Sequence, residues 1–356
     1  MDQTEQLLKE ITEAGGVPGY ESDVRAVMRR YLEGIATIEQ DKMGSFIGKH
    51  VGQAGGPRVM LAGHMDEIGF MVKLITKEGF IRFVTLGGWW NQVMLGHRVT
   101  IKTPKGDVIG VLGAKPPHLL GEEERKKIVD KNDMYIDVGA RSEEEVRDLG
   151  VRPGDPVIPV SNFTVMGNPR FYLCKAFDNR VGCALAMQTI GQVATEGHPN
   201  VVYAVGTVQE EVGLRGAKTS AHAISPDVAI ILEVDIAGDV PGIKPEESAV
   251  KMGAGPTLLV YDARMIPNLK LRDLVIATAA ELGIPLQFSA MSGGATDGGM
   301  IHIHNEGVPA VVIGVPTRHI HSHNAILCRD DYDQALQLVV ALVKKLDVAT
   351  VAGLTV

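Results

Sequence analysis

Val59-Met60-Leu61-Ala62-Gly63-His64-Met65-Asp66 is the stretch on which both the fold and the chemistry of this chain turn. A short apolar run bounded by polar sequence reads as a strand buried on both faces, the kind found inside a parallel sheet. The run ends in His-x-Asp. Side chains alternate along a strand with period two, so His64 and Asp66 are expected on one face. That suits a metal-ligating imidazole whose other ring nitrogen is held by a carboxylate. A histidine and an aspartate at a strand end are usually ordinary polar residues, so the pair gains meaning only if the rest of the chain supplies further ligands.

Outward from this stretch, apolar strands alternate with helical patterns. Residues 42–49, 58–62, 201–208, 228–232 and 309–315 read as strands. Val24, Val27, Met28, Tyr31, Leu32 and Ile35 recur at helical spacing, as do Tyr332, Leu336, Val339, Val343 and Leu346, and residues 180–193 and 271–282 also read as helices. Buried strands alternating with helices predict an α/β fold with a mostly parallel sheet covered by helices on both faces. From about Phe70 to Phe163 the texture changes. Short β-rich segments at 80–84, 98–103, 107–112, 134–138 and 156–160 are separated by Gly, Pro and Asp turns, with one helical patch at 142–149. The expectation is one α/β unit made of residues 1–69 and 164–356, interrupted by a small inserted β-domain, 70–163, suited to carrying an oligomer interface.

Composition narrows the function. The 356 residues suffice for a large core, and 45% hydrophobic against 22% charged residues describes an ordered α/β protein. With a net charge of −8 and no Lys/Arg stripe, neither nucleic acid nor an anionic membrane is the expected partner. No apolar run reaches the about 20 residues that span a bilayer, and residues 1–13 are acidic and amphipathic, unlike a signal peptide. Cys174, Cys183 and Cys328 form no C-x-x-C and read as reduced thiols, which predicts a cytoplasmic protein.

Five polar clusters fall at strand or turn ends, where open α/β sheets hold their ligands. His64-x-Asp66 is the first. In the second, Asp178-Asn179-Arg180-Val181-Gly182, the aspartate stands just ahead of a helix, a common N-cap position. The third, Gln209-Glu210-Glu211-Val212-Gly213, sets two carboxylates side by side after a buried strand. Adjacent carboxylates repel, and a cation relieves them: one glutamate ligates while its neighbour handles a water. The fourth is Glu233-Val234-Asp235, and the fifth is Arg318-His319-Ile320-His321-Ser322-His323. A His/Asp/Glu set without thiolates suits Zn2+, Co2+ or Mn2+ in a catalytic site. Two histidines with several carboxylates suffice for two ions about 3.5–4 Å apart that share a bridging carboxylate.

Segments 62–69, 176–180, 208–213 and 318–322 closely resemble the tetrahedral (TET) metallo-aminopeptidases, a family that includes glutamyl aminopeptidases and proteins labelled cellulase-M-like. The resemblance runs through essentially the whole chain, including Gly87-Gly88-Trp89-Trp90 and Gly113-Ala114-Lys115-Pro116-Pro117 of the β insertion. It implies a zinc-exopeptidase-like sheet with a barrel-like insertion, and an aminopeptidase with two divalent ions per subunit, Zn2+ or Co2+, with Mn2+ as an alternative. Carried over by position, His64 and Glu233 would hold one ion and Glu211 and His321 the other. Asp178 would bridge them, Asp66 would orient His64, and Glu210 would be the general base. The family usually has Asp where this chain has Glu233; Asp235, on the same strand face, competes for the role, and motif register favours Glu233. The resemblance further implies peptide substrates and a homododecamer with sites facing an internal cavity.

Remaining residues receive plainer readings. His302 and His304 are expected in packing or surface hydrogen bonds. His319 and His323 flank His321 on one face and are candidates to brace the ligands. Asp297, in the glycine-rich loop 292–299, is expected in a tight turn near the site, steadying neighbouring groups or the substrate amine. Trp89 and Trp90 read as packing or oligomer contacts. Two competing readings are an endo-glucanase-type glycoside hydrolase and a catalytically silent assembly protein. The first needs carboxylates flanking a sugar at about 5–5.5 or 6.5–9.5 Å, which adjacent Glu210 and Glu211 do not readily provide, and leaves the histidines unexplained. The second conflicts with intact ligand and base positions.

Overall fold

Val59 and Leu61 pack into one hydrophobic core, and Met60 and Ala62 into another. A strand sends alternate side chains to opposite faces of its sheet, so both faces here are covered. The computed structural model describes residues 1–355. Its first strands are β1 (Thr37–Gln40), β2 (Phe46–Val51) and β3 (Arg58–His64). Next come β4 (Gly69–Ile75), β5 (Phe80–Leu86), β6 (Arg98–Thr103), β7 (Gly106–Gly113), β8 (Tyr135–Asp137) and β9 (Pro156–Pro159). These close into an antiparallel barrel in the order β4-β5-β8-β7-β6-β9, around a core that includes Phe70, Val99, Ile101, Leu112 and Ile136. The chain then returns to the first sheet with β10 (Thr164–Val165), β11 (Phe171–Cys174), β12 (Val201–Thr207) and β13 (Val228–Ile236). It ends with β14 (Thr257–Asp262), β15 (Gln287–Met291), β16 (Ala310–Arg318) and β17 (Ala325–Cys328).

Among the described residues the large sheet has eleven strands, ordered β1-β2-β12-β3-β13-β16-β17-β11-β10, with β14 and β15 branching from β16. At its centre β12, β3, β13 and β16 are parallel. The margins are antiparallel: β1 to β2, β2 to β12, and β16 to both β14 and β17. The sheet is thus mixed, with the expected parallel core. The short link between β16 and β17 allows only an antiparallel return, since a parallel pair needs a crossover of a dozen or more residues. Helices Gln3–Glu13, Ser22–Leu32, Phe177–Glu196 and Arg329–Lys345 contribute to the core that receives Val59 and Leu61. Arg215–Ile224 and Gly298–Ile301 cover the opposite face.

Two boundaries differ from expectation for identifiable reasons. The strand expected over 42–49 starts only at Phe46, because the Asp41 carboxylate accepts the amides of Met43, Gly44 and Ser45 and folds them into a turn. The strand expected to stop at Leu232 continues to Ile236, since β16 keeps pairing with it to Thr317. Glu233 and Asp235 therefore lie within a strand, not after one. Cys174, Cys183 and Cys328 are free and buried.

Candidate active site

The parallel core places its carboxyl ends at one edge of the sheet. Thr207 is the register partner of His64 on β12, and Ile231 pairs with Ala62, which sets Glu233 level with His64 on β13. His64 Nε2 lies 3.8 Å from Glu233 Oε1. Both side chains are nearly fully buried.

Asp178 arrives from the helix across this edge. Ala176 takes a left-handed φ of 56°, Asp178 and Asn179 depart from helical angles, and the peptide between them is cis. Close approach of this segment depends on missing side chains. A Cβ on Gly182 would lie 2.1 Å from the Leu232 carbonyl oxygen, and one on Gly63 would meet the Gly182 carbonyl carbon at 2.5 Å. Asn179 fastens the contact, donating from Nδ2 to the Leu232 carbonyl at 2.8 Å and accepting from Gly182 N at 3.0 Å. Asp178 then spans two histidines: Oδ1 is 3.1 Å from His64 Nε2, and Oδ2 is 3.3 Å from His321 Nε2.

The turn after β12 carries the paired glutamates. Asp66 is fully buried, and its two carboxylate oxygens accept the backbone N–H groups of Glu210 at 3.0 Å and Glu211 at 3.1 Å. The side chain expected to orient His64 thus fixes this turn instead. His64 Nδ1 is held at 2.9 Å by the main-chain carbonyl of Asp66, while the nearer carboxylate oxygen stands 3.7 Å away. Glu210 Oε2 is 3.8 Å from His64 Nε2, and Glu211 Oε1 is 3.5 Å from His321 Nε2. The barrel completes the arrangement. His321, at a left-handed φ of 55°, donates from Nδ1 to the Gly88 carbonyl at 2.7 Å, in the link between β5 and β6.

His64, Asp178, Glu210, Glu211, Glu233 and His321 line one cavity of about 560 Å3. Asp235 lines it farther along, where its carboxylate accepts from Ser289 Oγ and from its neighbour's amide, Ile236 N, at 2.8 Å. The other histidines stay outside. His319 and His321 both have positive φ, so the strand alternation assumed for 319–323 is broken. His319 is exposed, while His323 is buried against Trp89 and stacked on His97, ring centroids 4.0 Å apart. His302 Nδ1 bonds the Gly298 carbonyl at 2.7 Å. Asp297 is buried behind the site and accepts from Thr207 Oγ1, the residue paired with His64. Trp89 donates to the Gly69 carbonyl and stacks on Phe70, while Trp90 is exposed.

Residues to which the sequence assigned no role hold the frame. Buried Glu67, next to Asp66, accepts from Lys175 Nζ at 2.6 Å and Arg180 at 3.2 Å. Arg180 also donates to the carbonyls of Ile11, Ala14 and Gly16. The ion cluster ties the exit of β3 to the segment that carries Asp178. Its one sequence signal is the placement of Lys175 and Arg180 on either side of Asp178.

The charges are in conflict without a cation. Burial raises the Glu210 and Glu233 carboxyls well above the usual range, and Glu211 to about 7, with neighbouring carboxylates adding to the shift. Burial acts to lower both histidines, yet Glu210, Glu233 and Asp178 drive His64 well above its ordinary value. Asp178 and Glu211 lift His321 to about 10. Burial likewise raises Asp297, to about 6. Ligand atoms of His64, Asp178 and Glu211 lie within 4.8 Å of one another, close enough to hold a metal ion. Nitrogen and oxygen donors with surplus negative charge fit a divalent cation. Buried Cys183 is no ligand: its thiol is pushed up to about 12 by burial and points at the Gly63 and His64 carbonyls.

Fold and site together are those of a hydrolase with a cation-binding cluster at the carboxyl edge of an α/β sheet, and comparison with known proteins agrees. The family model described as M42 glutamyl aminopeptidase matches residues 44–338. A glutamyl aminopeptidase of Lactococcus lactis is 35% identical over 97% of this chain and 97% of its own length. A lysyl aminopeptidase of Pyrococcus furiosus is 35% identical over 96% of this chain and 97% of its own. Among solved structures, a TET aminopeptidase from a marine-sediment archaeon, Thaumarchaeota archaeon SCGC AB-539-E09, superposes with a TM-score of 0.97 at 51% identity, covering 100% of both chains. The TET1 peptidase of Pyrococcus horikoshii, described as assembling into a tetrahedron or a large octahedral shell, gives 0.88 at 31% identity, covering 97% of this chain and 100% of its own. The chain belongs to the M42 aminopeptidase family and is a peptide-hydrolysing enzyme.

Proposed function

We propose that the protein is a dinuclear metal-dependent aminopeptidase that releases N-terminal residues from peptides, with Glu210 as general base. The observation that carries this reading is Asp178, whose two oxygens each face a different histidine. That is what a carboxylate bridging two ions requires. His64 and Glu233 would hold one ion and Glu211 and His321 the other, Zn2+, Co2+ or Mn2+ being compatible with these donors. Two such ions supply Lewis acidity toward the scissile carbonyl and make a water acidic enough to attack at neutral pH.

The protein's own groups then do the rest. Glu210 lines the cavity with its amide pinned by Asp66, a position suited to take a proton from the attacking water and pass it to the leaving nitrogen. Asp66 keeps Glu210 and Glu211 in register with the histidines. Gly88 holds the His321 ring in the tautomer that leaves Nε2 free to ligate. Residues 1–69 with 164–356 form the catalytic part in this reading, and the barrel of 70–163 carries subunit contacts in a homododecamer. The protein would act in the cytoplasm.

The test is hydrolysis of aminoacyl-p-nitroanilides after chelator stripping. Activity should vanish and return with Zn2+, Co2+ or Mn2+, and N-acetylated substrates should be refused. Chelator-insensitive cleavage would overturn the reading.

A further inference from the structure

The cavity does not end at the ligand cluster. Leu259, Met291, Val312 and Ile320 line it as well, and so does Asp235. Asp235 is two residues past Glu233 on the same face of β13, roughly 6–7 Å away at the rise of a strand. That is about the reach of an extended lysine or arginine stem. We propose that Asp235 is the specificity-determining residue of the pocket for the first side chain, and that the enzyme prefers peptides beginning with a basic residue. This rests on the metallo-aminopeptidase reading of the site.

Three features of the structure support it. Asp235 is a half-buried carboxylate with no Lys, Arg or His within 4.0 Å among the described residues; its partners are the Ser289 hydroxyl and a backbone amide. A charge withdrawn from water in this way gains most from a cation. Gly314, which lines the same cavity, lets Asp235 and Thr257 pack close to β16: a Cβ there would lie 2.4 Å from Thr257 Oγ1 and 3.1 Å from Asp235 Cβ. A second cavity of about 550 Å3 shares Asp235 with the first and is lined also by Ser289 and the exposed Glu246 and Glu247. The apolar walls between would cover the methylene stem of a lysine while its ammonium reaches the carboxylate. Ligand carboxylates nearer the sheet edge would be balanced by the ions they hold, which leaves Asp235 as the unmatched charge.

Among the described residues Arg264 is the one Lys or Arg lining the main cavity. It is exposed, donates no side-chain hydrogen bond among the described residues, and rests its stem against Gly299. A solvated rim arginine is screened by water, so it does not outweigh a carboxylate on the floor.

The relatives split between glutamyl and lysyl names, so kinetics must decide. The experiment compares kcat/KM of the metal-loaded full chain on Lys-, Arg-, norleucine-, Leu- and Glu-p-nitroanilide. Norleucine keeps the stem of lysine and drops its charge. The wild type should favour Lys and Arg over norleucine by roughly 10–100-fold, the contribution of a charge-assisted hydrogen bond, and Glu should be the poorest. In Asp235→Asn the Lys-to-norleucine ratio should collapse toward one, chiefly through KM. Asp235→Glu should restore part of it. A wild type that favours Glu in a manner lost in Arg264→Ala would overturn the proposal, as would an unchanged ratio in Asp235→Asn. The wild-type panel stands by itself if the variants do not fold. Hydrolysis of Leu or norleucine without a preference for charge refutes the pocket and leaves the metal site standing; no hydrolysis of any substrate refutes both.

Discussion

Replacing Asp66 by Asn separates two ways of holding this site together. Asp66 is fully buried and accepts two backbone N–H groups, those of Glu210 at 3.0 Å and Glu211 at 3.1 Å. An asparagine can keep one of these bonds through its carbonyl, while its amide turns a donor toward the other N–H. Hydrogen bonds to a charged acceptor contribute about 1.5–3 kcal/mol each, and an orphaned buried donor costs about 1–3 kcal/mol. Loss of one bond and weakening of the other predicts a destabilisation of roughly 2–4 kcal/mol, read as a lower denaturant midpoint. The larger effect is on turnover. A shift of the 210–211 turn by about 1 Å misplaces the base and costs on the order of 100-fold in kcat. His64 keeps its own restraint, because Nδ1 is held by the Asp66 main-chain carbonyl, which the substitution spares. Asp66→Asn should therefore retain bound metal at His64 and lose turnover. Metal content by plasma emission spectroscopy, measured beside kcat, checks this. Lost metal with normal turnover per bound ion would refute the reasoning and return Asp66 to the role of orienting His64.

Other consequences are open to simple measurement. Glu210→Gln should bind metal normally and lose about 10²–10⁴ in kcat, the usual share of a general base; near-normal activity would remove Glu210 from that role. Glu67→Ala leaves Lys175 and Arg180 buried without an anion, and breaking such a cluster should destabilise by about 3–5 kcal/mol in denaturant titrations. A loss under about 1 kcal/mol would contradict the frame described for the Asp178 segment. For the metal-free protein, His321 is raised from 6.5 to about 10 and Glu211 from 4.5 to about 7. The histidine contributes stability that is full below its unfolded value and fades as pH rises through about 10. A carboxyl with a raised value behaves alike, favouring the fold at low pH and losing that contribution as pH climbs toward about 7. Asp178 is depressed instead, and its contribution is already complete above 3.8. Melting temperature without metal should therefore fall between pH 5 and pH 9, and metal loading should flatten the trend; a metal-free protein that grows more stable across that range would contradict the charge balance.

The parallel core was legible because its strands are apolar on both faces: 59–62, 201–208, 228–232 and 309–315 all fall within strands or at their ends. Strands β5 to β9 of the barrel were legible through their turns, which Gly and Asp residues punctuate, whereas β4, Gly69–Ile75, was not read as a strand. Strand β15, Gln287–Met291, was not legible either, since its half-buried face carries Gln287 and Ser289 with Met291 while Phe288 is exposed, so hydrophobicity does not alternate in phase with burial. Strand extent also escaped the sequence: pairing of β13 with β16 carries the strand past Glu233 and Asp235, and only that depth separates a residue level with His64 from one farther down the cavity. Alternation failed at 319–323 because two left-handed residues turn the chain and bury His323 against the barrel. The partners of Asp66 lie 144 and 145 residues away. No local spacing encodes such a contact, whereas His-x-Asp spacing invited a short-range pairing that the carbonyl of the same residue fulfils.

The central claim is that Asp178 bridges two ions at the carboxyl edge of the sheet. Anomalous diffraction at the zinc edge from metal-loaded crystals tests it most directly. Two peaks are expected about 3.5–4 Å apart, with Asp178 between them, His64 and Glu233 beside one, Glu211 and His321 beside the other. A single peak, or one ligated by Asp235 in place of Glu233, would contradict it.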